Sequence, residues 1–206
     1  MKLLETNDEK LRIKCSEVTD FENIDYYKKL IEEMSQACIA EYAYGCAAPQ
    51  FGILKRFILV MTVEEMKANS KEELENKEIH YTTMTYFNPR ITEMRGKQVF
   101  YEACMSTGDT IGKVERPYYI EFEAQDINGN WLCKSAEGFE AILLCHELDH
   151  LDGIEFIDKA TDIRYDADLE ERIKIRRQFP HQIISKDGEF SQDLIMEHAK
   201  TLKYNK

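Results

Sequence analysis

From Asn23 to about Tyr44 apolar residues recur at helical spacing, with Tyr27, Leu30, Ile31, Met34 and Cys38 on one face. Gly45 to Gly52 reads as a loop, because Pro49 disfavours helical geometry at the residue before it. Arg56 to Met61 is a short apolar run of the length of a buried strand. The pattern then breaks. Thr62 to Glu78 is strongly charged, and Thr62 with Glu65 forms a candidate capping box for an exposed helix inserted between strands. Strand-like runs follow at His80 to Phe87, Arg90 to Met94 and Lys97 to Glu102. Tyr118 to Gln125 alternates, and Asn128-Gly129 predicts a hairpin turn into Trp131-Leu-Cys-Lys. Glu137 to Leu151 is again helical, with Gly153 placed to end it. The polar tail from Thr161 onward predicts two helices. Strands grouped together around one apolar helix make an α+β fold, with antiparallel or mixed sheets, a central helix and a helical C-terminal tail.

Length and composition narrow the class. The 206 residues suit one domain with long appendages, and no internal repeat or Gly/Ser/Pro linker divides them. With 43% hydrophobic and 32% charged residues, disordered and collagen-like classes are excluded. No apolar run approaches the roughly 18 residues that a membrane span needs. The first ten residues turn charged before a signal-peptide core could form, so the expected compartment is the cytoplasm. The 27 Lys and Arg against 39 Asp and Glu give a formal net charge of −12, which disfavours general nucleic-acid binding. Six cysteines without a CxxC pair read as reduced thiols, available in principle to a metal.

The stretch richest in chemistry is Cys145-His146-Glu147-Leu148-Asp149-His150. On a helix, residues four apart leave the same face, so His146 and His150 can reach one ion while Glu147 lies beside the first ligand. A charged helix with two surface histidines has the same pattern. Two histidines do not complete a catalytic site, which usually has three protein ligands and one open position. A third ligand could come from downstream, where Asp152, Glu155, His181 and His198 are available, or from Cys104 upstream.

Three segments taken together resemble one family. Ala43-Tyr-Gly-Cys-Ala-Ala-Pro-Gln50, Glu102-Ala-Cys-Met-Ser106 and His146-Glu-Leu-Asp-His150 are similar, in order, to the GφGφAAPQ, EGCφS and QHEφDH signatures of peptide deformylases, where φ is apolar. Leu11-Arg12, Asn88-Pro89, Val114-x-Arg116 and Leu151-Asp-Gly153 agree as flanks, and the resemblance spans about residues 3 to 160. It implies a catalytic domain over 1–160, with 161–206 as a helical extension of the same domain. It also implies removal of the formyl group from N-formylmethionyl peptides of newly made proteins. By the same resemblance Cys104, His146 and His150 hold one divalent metal ion, Fe2+ first with Zn2+ or Ni2+ as alternatives, and water fills the fourth position. Glu147 moves the proton, while the Gln50 amide and the backbone N–H of Met105 receive the oxyanion.

Substrate walls can be read beside these motifs. Phe139, Ile142 and Leu143 share the helix face of His146 and form a candidate apolar wall for a methionine side chain, with Tyr44 and Phe100 as further walls. Plain core packing would produce the same residues. Gly45, lacking a Cβ, is read as allowing close approach of the substrate backbone. Four positions depart from the family pattern: Ala43 and Ala103 stand where Gly is usual, Cys145 where Gln is, and Ser106-Thr-Gly-Asp109 where Ser-Val-Pro-Gly is. An alanine would strain the loop if either position needs positive φ. Two other readings stay open at this point: an HExxH metalloprotease, and a catalytically impaired homologue that only binds. Finally, Arg172-Ile-Lys174-Ile-Arg176-Arg177 is a basic island, either a solvated helix face or a weak contact with the ribosome.

Overall fold

The structure is a computed structural model that describes residues 1–63 and 81–190. The helix expected within Thr62 to Glu78 therefore falls, from residue 64 on, outside the described residues, as does His198.

Helix α1 (Ile24–Ala40) buries Tyr27, Leu30, Met34 and Cys38, the stripe its spacing predicts. The segment read as a loop instead contains strand β1 (Gly45–Ala47) and a 3-10 turn over Ala48–Phe51. Pro49 suits such a turn, since its fixed φ fits the first helical residues and its missing N–H is not needed there. Strand β2 (Phe57–Val63) pairs antiparallel with both β1 and the first part of β3 (Tyr81–Ala103).

Strand β3 departs from expectation. The three runs predicted within it form one strand of 23 residues that bends without turning. Register shifts near Phe87/Arg90 and Ile91/Glu93 let it change partners along its length. Its start pairs with β2, its middle with β5 (Tyr119–Gln125), and its end with β4 (Ile111–Arg116). Strand β6 (Trp131–Glu137) forms a hairpin with β5 across the Asn128-Gly129 turn, where Asp126 Oδ1 accepts from the Asn128 and Asn130 amides.

Helix α2 (Phe139–Leu151) is buried nearly all round: Ala141, Ile142 and every residue from Leu144 to Leu151 are buried, ionisable ones included. It packs Leu144 and Leu148 against Ile58, Val60, Tyr86, Ile120 and Phe122 of the sheet. A second cluster joins α1 to the opposite side, where Tyr27 meets Phe57 and Phe87 edge to face.

The tail differs from expectation in its described part, which contains one of the expected helices, α3 (Leu169–Gln178), between two strands, β7 (Thr161–Arg164) and β8 (Gln182–Glu189), while residues 191–206 lie outside the described residues. Asp168 caps α3 by accepting from the Glu171 amide. Strands β7 and β8 pair with β4 and β3, so the tail is sewn into the sheet by backbone hydrogen bonds. The described residues form an α+β fold with an antiparallel sheet of eight strands and three α-helices.

Candidate active site

Strand β3 ends at Ala103, and Cys104 leads from it into a 3-10 turn over Met105–Thr107. His146 and His150 lie one turn apart on α2, with ring centroids 5.0 Å apart. Cys104 Sγ is 3.2 Å from His150 Nε2. One donor atom from each of Cys104, His146 and His150 lies within 4.8 Å of the other two, and all three side chains are buried. A sulfur and two imidazole nitrogens at this separation form a donor set suited to one transition-metal or zinc ion.

Among the described residues, none of the downstream alternatives joins this cluster. Asp152 pairs with Arg56 at 2.7 Å, Glu155 pairs with Arg12 at 2.6 Å, and His181 Nε2 lies 2.6 Å from Gln98 Oε1. Cys145 points into the core, where burial pushes its thiol up to about 12.

The electrostatics of the cluster are self-consistent. Burial alone would push the Cys104 thiol up, but His150 and His146 overcome that and hold it well below its ordinary value. Glu147 behaves oppositely. Burial pushes its carboxyl up to about 7, against the lowering pull of His146 and His150. Its Oε2 is buried without a hydrogen-bond partner, as is His150 Nδ1. Such an orphaned oxygen is costly in a folded protein unless a ligand or a water meets it.

Gln50 is fixed by its own turn. Its Oε1 accepts from the Ala47 amide at 2.9 Å, which aims Nε2 at Cys104 Sγ (3.3 Å) and Ser106 Oγ (3.0 Å). It is 1% exposed and so not a solvated loop residue. Behind the cluster, Glu102 Oε2 lies 2.8 Å from His146 Nδ1. Arg116 grips Glu102 through both carboxylate oxygens at 2.8 Å and reaches Asp149 at 2.6 Å, while Lys159 meets Asp149 at 2.7 Å. Glu102 thereby fixes the His146 ring and leaves Nε2 for an ion. Sequence reasoning assigned Glu102, Arg116, Asp149 and Lys159 no role.

A cleft of about 970 Å³ opens onto this site. Gln50, Cys104, Met105, His146 and Glu147 line it, together with Gly45 and all the expected wall residues: Tyr44, Phe100, Phe139, Ile142 and Leu143. His150 lies behind them, 1% exposed. Phe139 stands between Tyr44 and Phe100, with ring centroids 5.2 and 5.4 Å away.

Two readings change. Gly45 borders the cleft, but the space a Cβ would fill is taken by protein: it would lie 2.8 Å from the Leu59 carbonyl oxygen and 3.0 Å from Glu147 Oε1. The glycine lets β1 close onto the Glu147 carboxyl. Gly45→Ala is expected to destabilise by about 1–3 kcal/mol and to displace Glu147. Urea denaturation and turnover measured together check this, and unchanged values for both would refute the role. The alanines at 43 and 103 carry no penalty, because neither has positive φ; the left-handed residue of that loop is Tyr42 at φ 53°.

The basic island is also not simply a solvated face. Arg172 and Arg176 line the cleft: Arg172 pairs with Asp109 at 3.0 Å, and Arg176 Nε donates to the Tyr101 carbonyl at 3.0 Å. A one-dimensional charge pattern does not reveal this, since α3 lies between β7 and β8, whose pairing with β4 and β3 fixes its place in the fold.

The comparisons with known proteins agree on one family. Its model, described as polypeptide deformylase, matches residues 1–165. A peptide deformylase from Caldicellulosiruptor bescii is 33% identical over 165 residues, covering 80% of this chain and 88% of that one. Peptide deformylase 1 from Clostridium perfringens is 37% identical over 152 residues, covering 74% and 92%. Among solved structures, a probable peptide deformylase from synechococcus phage S-SSM7 superposes with a TM-score of 0.66 at 32% identity, covering 77% of this chain and 98% of that one. A peptide deformylase from Plasmodium falciparum gives a TM-score of 0.66 at 27% identity and covers 99% of this chain and 98% of that one. This chain belongs to the polypeptide deformylase family.

Proposed function

We propose that this protein removes the formyl group from N-formylmethionyl peptides, using one divalent metal ion held by Cys104, His146 and His150. The observation that carries the reading is the sulfur–nitrogen–nitrogen cluster beside a buried carboxylate with an orphaned oxygen, at the floor of an apolar cleft. When bound, the ion would act as a Lewis acid and lower the pKa of water toward neutrality. We assign Fe2+ as the resident ion, with Zn2+ or Ni2+ as functional substitutes.

The chain's own residues do the rest. Glu147, with its carboxyl pushed up to about 7, is poised near neutral pH to take a proton from the attacking water and return it to the leaving amine. Gln50 Nε2, held by its turn, and the backbone N–H of Met105 donate to the oxyanion formed from the formyl oxygen. Tyr44, Phe100, Phe139, Ile142 and Leu143 exclude water and wall the methionine side chain. Residues 1–160 act as the catalytic unit, and 161–206 belong to the same domain. No described helix is long and apolar enough to cross a membrane, and action on nascent chains in the cytoplasm fits the family. The proposed ribosome contact is left to Lys174 and Arg177, the exposed members of the basic segment, and would show as salt-sensitive co-sedimentation that their neutralisation abolishes.

The test is formate release from a formyl-Met tripeptide beside cleavage of a long unformylated peptide. Formate without internal cleavage is expected. The reverse would favour a metalloprotease, and neither product would favour a binding protein without catalysis.

A further inference from the structure

The cleft has a feature that formyl-group chemistry does not use. Arg172 and Arg176 sit four residues apart on α3, so both leave one face of the helix, and both line the cleft. Like charges at this spacing repel and destabilise a helix. Arg172 has a counter-ion in Asp109, but that carboxylate is 63% exposed and largely solvated. Arg176 has none: among the described residues no carboxylate lies at ion-pairing distance from it. It is partly buried, and burial together with the nearby Arg172 pulls it down to about 10. Its Nε is spent on the Tyr101 carbonyl, and its guanidinium lies 5.1 Å from the centroid of the Phe100 ring. That leaves the terminal nitrogens as donors beside a proposed methionine wall. A partly buried guanidinium without a carboxylate is a favourable place for an anion to meet.

The rest of the cleft sharpens the contrast. Glu102 is neutralised by Arg116, and the protein carries a net charge of −12. Long-range attraction therefore works against an acidic ligand, and any preference for one must come from groups within about a Debye length. Both arginines lie outside residues 1–165, the span matched by the family model.

We propose that Arg172 and Arg176 form a carboxylate subsite that selects peptide substrates bearing an acidic group one or two residues beyond the methionine. A carboxylate meeting this pair makes charge-assisted, bidentate-capable hydrogen bonds in a partly desolvated cleft. The preference over a neutral amide isostere should be about ten- to a hundredfold. The proposal rests on the deformylase reading for the identity of the ligand.

The experiment compares kcat/KM for formyl-Met-Glu-Ser-amide and formyl-Met-Gln-Ser-amide, with formyl-Met-Ala-Ser as free acid and amide in a second arm. The arms separate a side-chain carboxylate from a terminal one. Wild type, Arg176→Gln and Arg172→Gln are measured, each with calorimetric affinities for the matching unformylated products. A preference of about tenfold or more for the acid in either arm, residing in KM and falling to about one in Arg176→Gln and partway in Arg172→Gln, supports the subsite. A wild-type ratio near one in both arms, or a preference that persists in Arg176→Gln, overturns it. Because the readout is a ratio on one protein, a merely unstable variant cannot mimic it. If no peptide is deformylated, the deformylase reading fails, and the product affinities still decide the subsite by the same ratios.

Discussion

Glu147→Gln is expected to keep its metal and lose about 100- to 10,000-fold of turnover on a formyl-Met peptide. The side chain is 3% exposed, Oε2 has no partner and Oε1 lies where a Cβ on Gly45 would come within 3.0 Å. Glutamine is close in shape, so β1 need not move and the cleft is preserved. It cannot accept a proton. The loss should fall on kcat rather than KM, because Glu147 is assigned to moving a proton and not to holding the peptide. Metal analysis and steady-state kinetics on the same preparation check this. A variant with full metal and near wild-type kcat would remove Glu147 from the mechanism.

The second large effect lies behind the site. Arg116→Met should destabilise the fold by about 3–5 kcal/mol, because it leaves Glu102 and part of Asp149 as buried carboxylates without their cation. Both acids are nearly inaccessible, at 3% and 1% exposure. Although burial pushes Glu102 up, Arg116 and His146 hold it at about 2. Asp149 is likewise held well below the usual carboxylate range by Arg116 and Lys159, against burial. A depressed folded-state pKa contributes stability that is present above the unfolded value, near 4.5 for Glu102, and is lost as pH falls toward 2. Wild type should therefore lose stability steeply below about pH 4.5. In Arg116→Met burial is opposed by less charge, so the folded-state pKa of Glu102 rises, this acid-side loss shrinks, and the gap in stability from wild type should narrow as pH falls through about 4.5. Since Glu102 also orients His146, metal affinity should fall about 10- to 100-fold. Urea denaturation at several pH values, with metal titration, checks both; a variant as stable as wild type at pH 7 would contradict the account.

What the chain reveals about itself depends on the range of the interactions. The face of α1 and the apolar helix α2 are local patterns and can be read directly. The three metal-ligand candidates are legible because short motifs surround them, although Cys104 and His150 are 46 residues apart. Strand β3 is not legible as one element. Asn88-Pro89 and Arg95-Gly96 look like breaks, yet Asn88 holds φ 48° because its side chain bonds Val18 N and O and Gln125 Oε1, residues far away in sequence. The carboxylate partners of Arg116 lie 14 and 33 residues away, so its role emerges only when β3, β4 and α2 pack together. The arginines of α3 show the same limit: their spacing gives a face, but only the pairing of β7 and β8 says which way it points. At Gly45 the sequence suggests a close approach, and packing decides that a protein carboxylate makes it.

The central claim is that Cys104 closes a three-ligand metal site on which deformylation depends. The most direct test is the metal occupancy of Cys104→Ala, measured with formate release on the same sample. Joint loss of metal and activity is predicted, because a two-histidine site holds an ion poorly. Full occupancy with wild-type activity on a formyl-Met peptide would contradict the account.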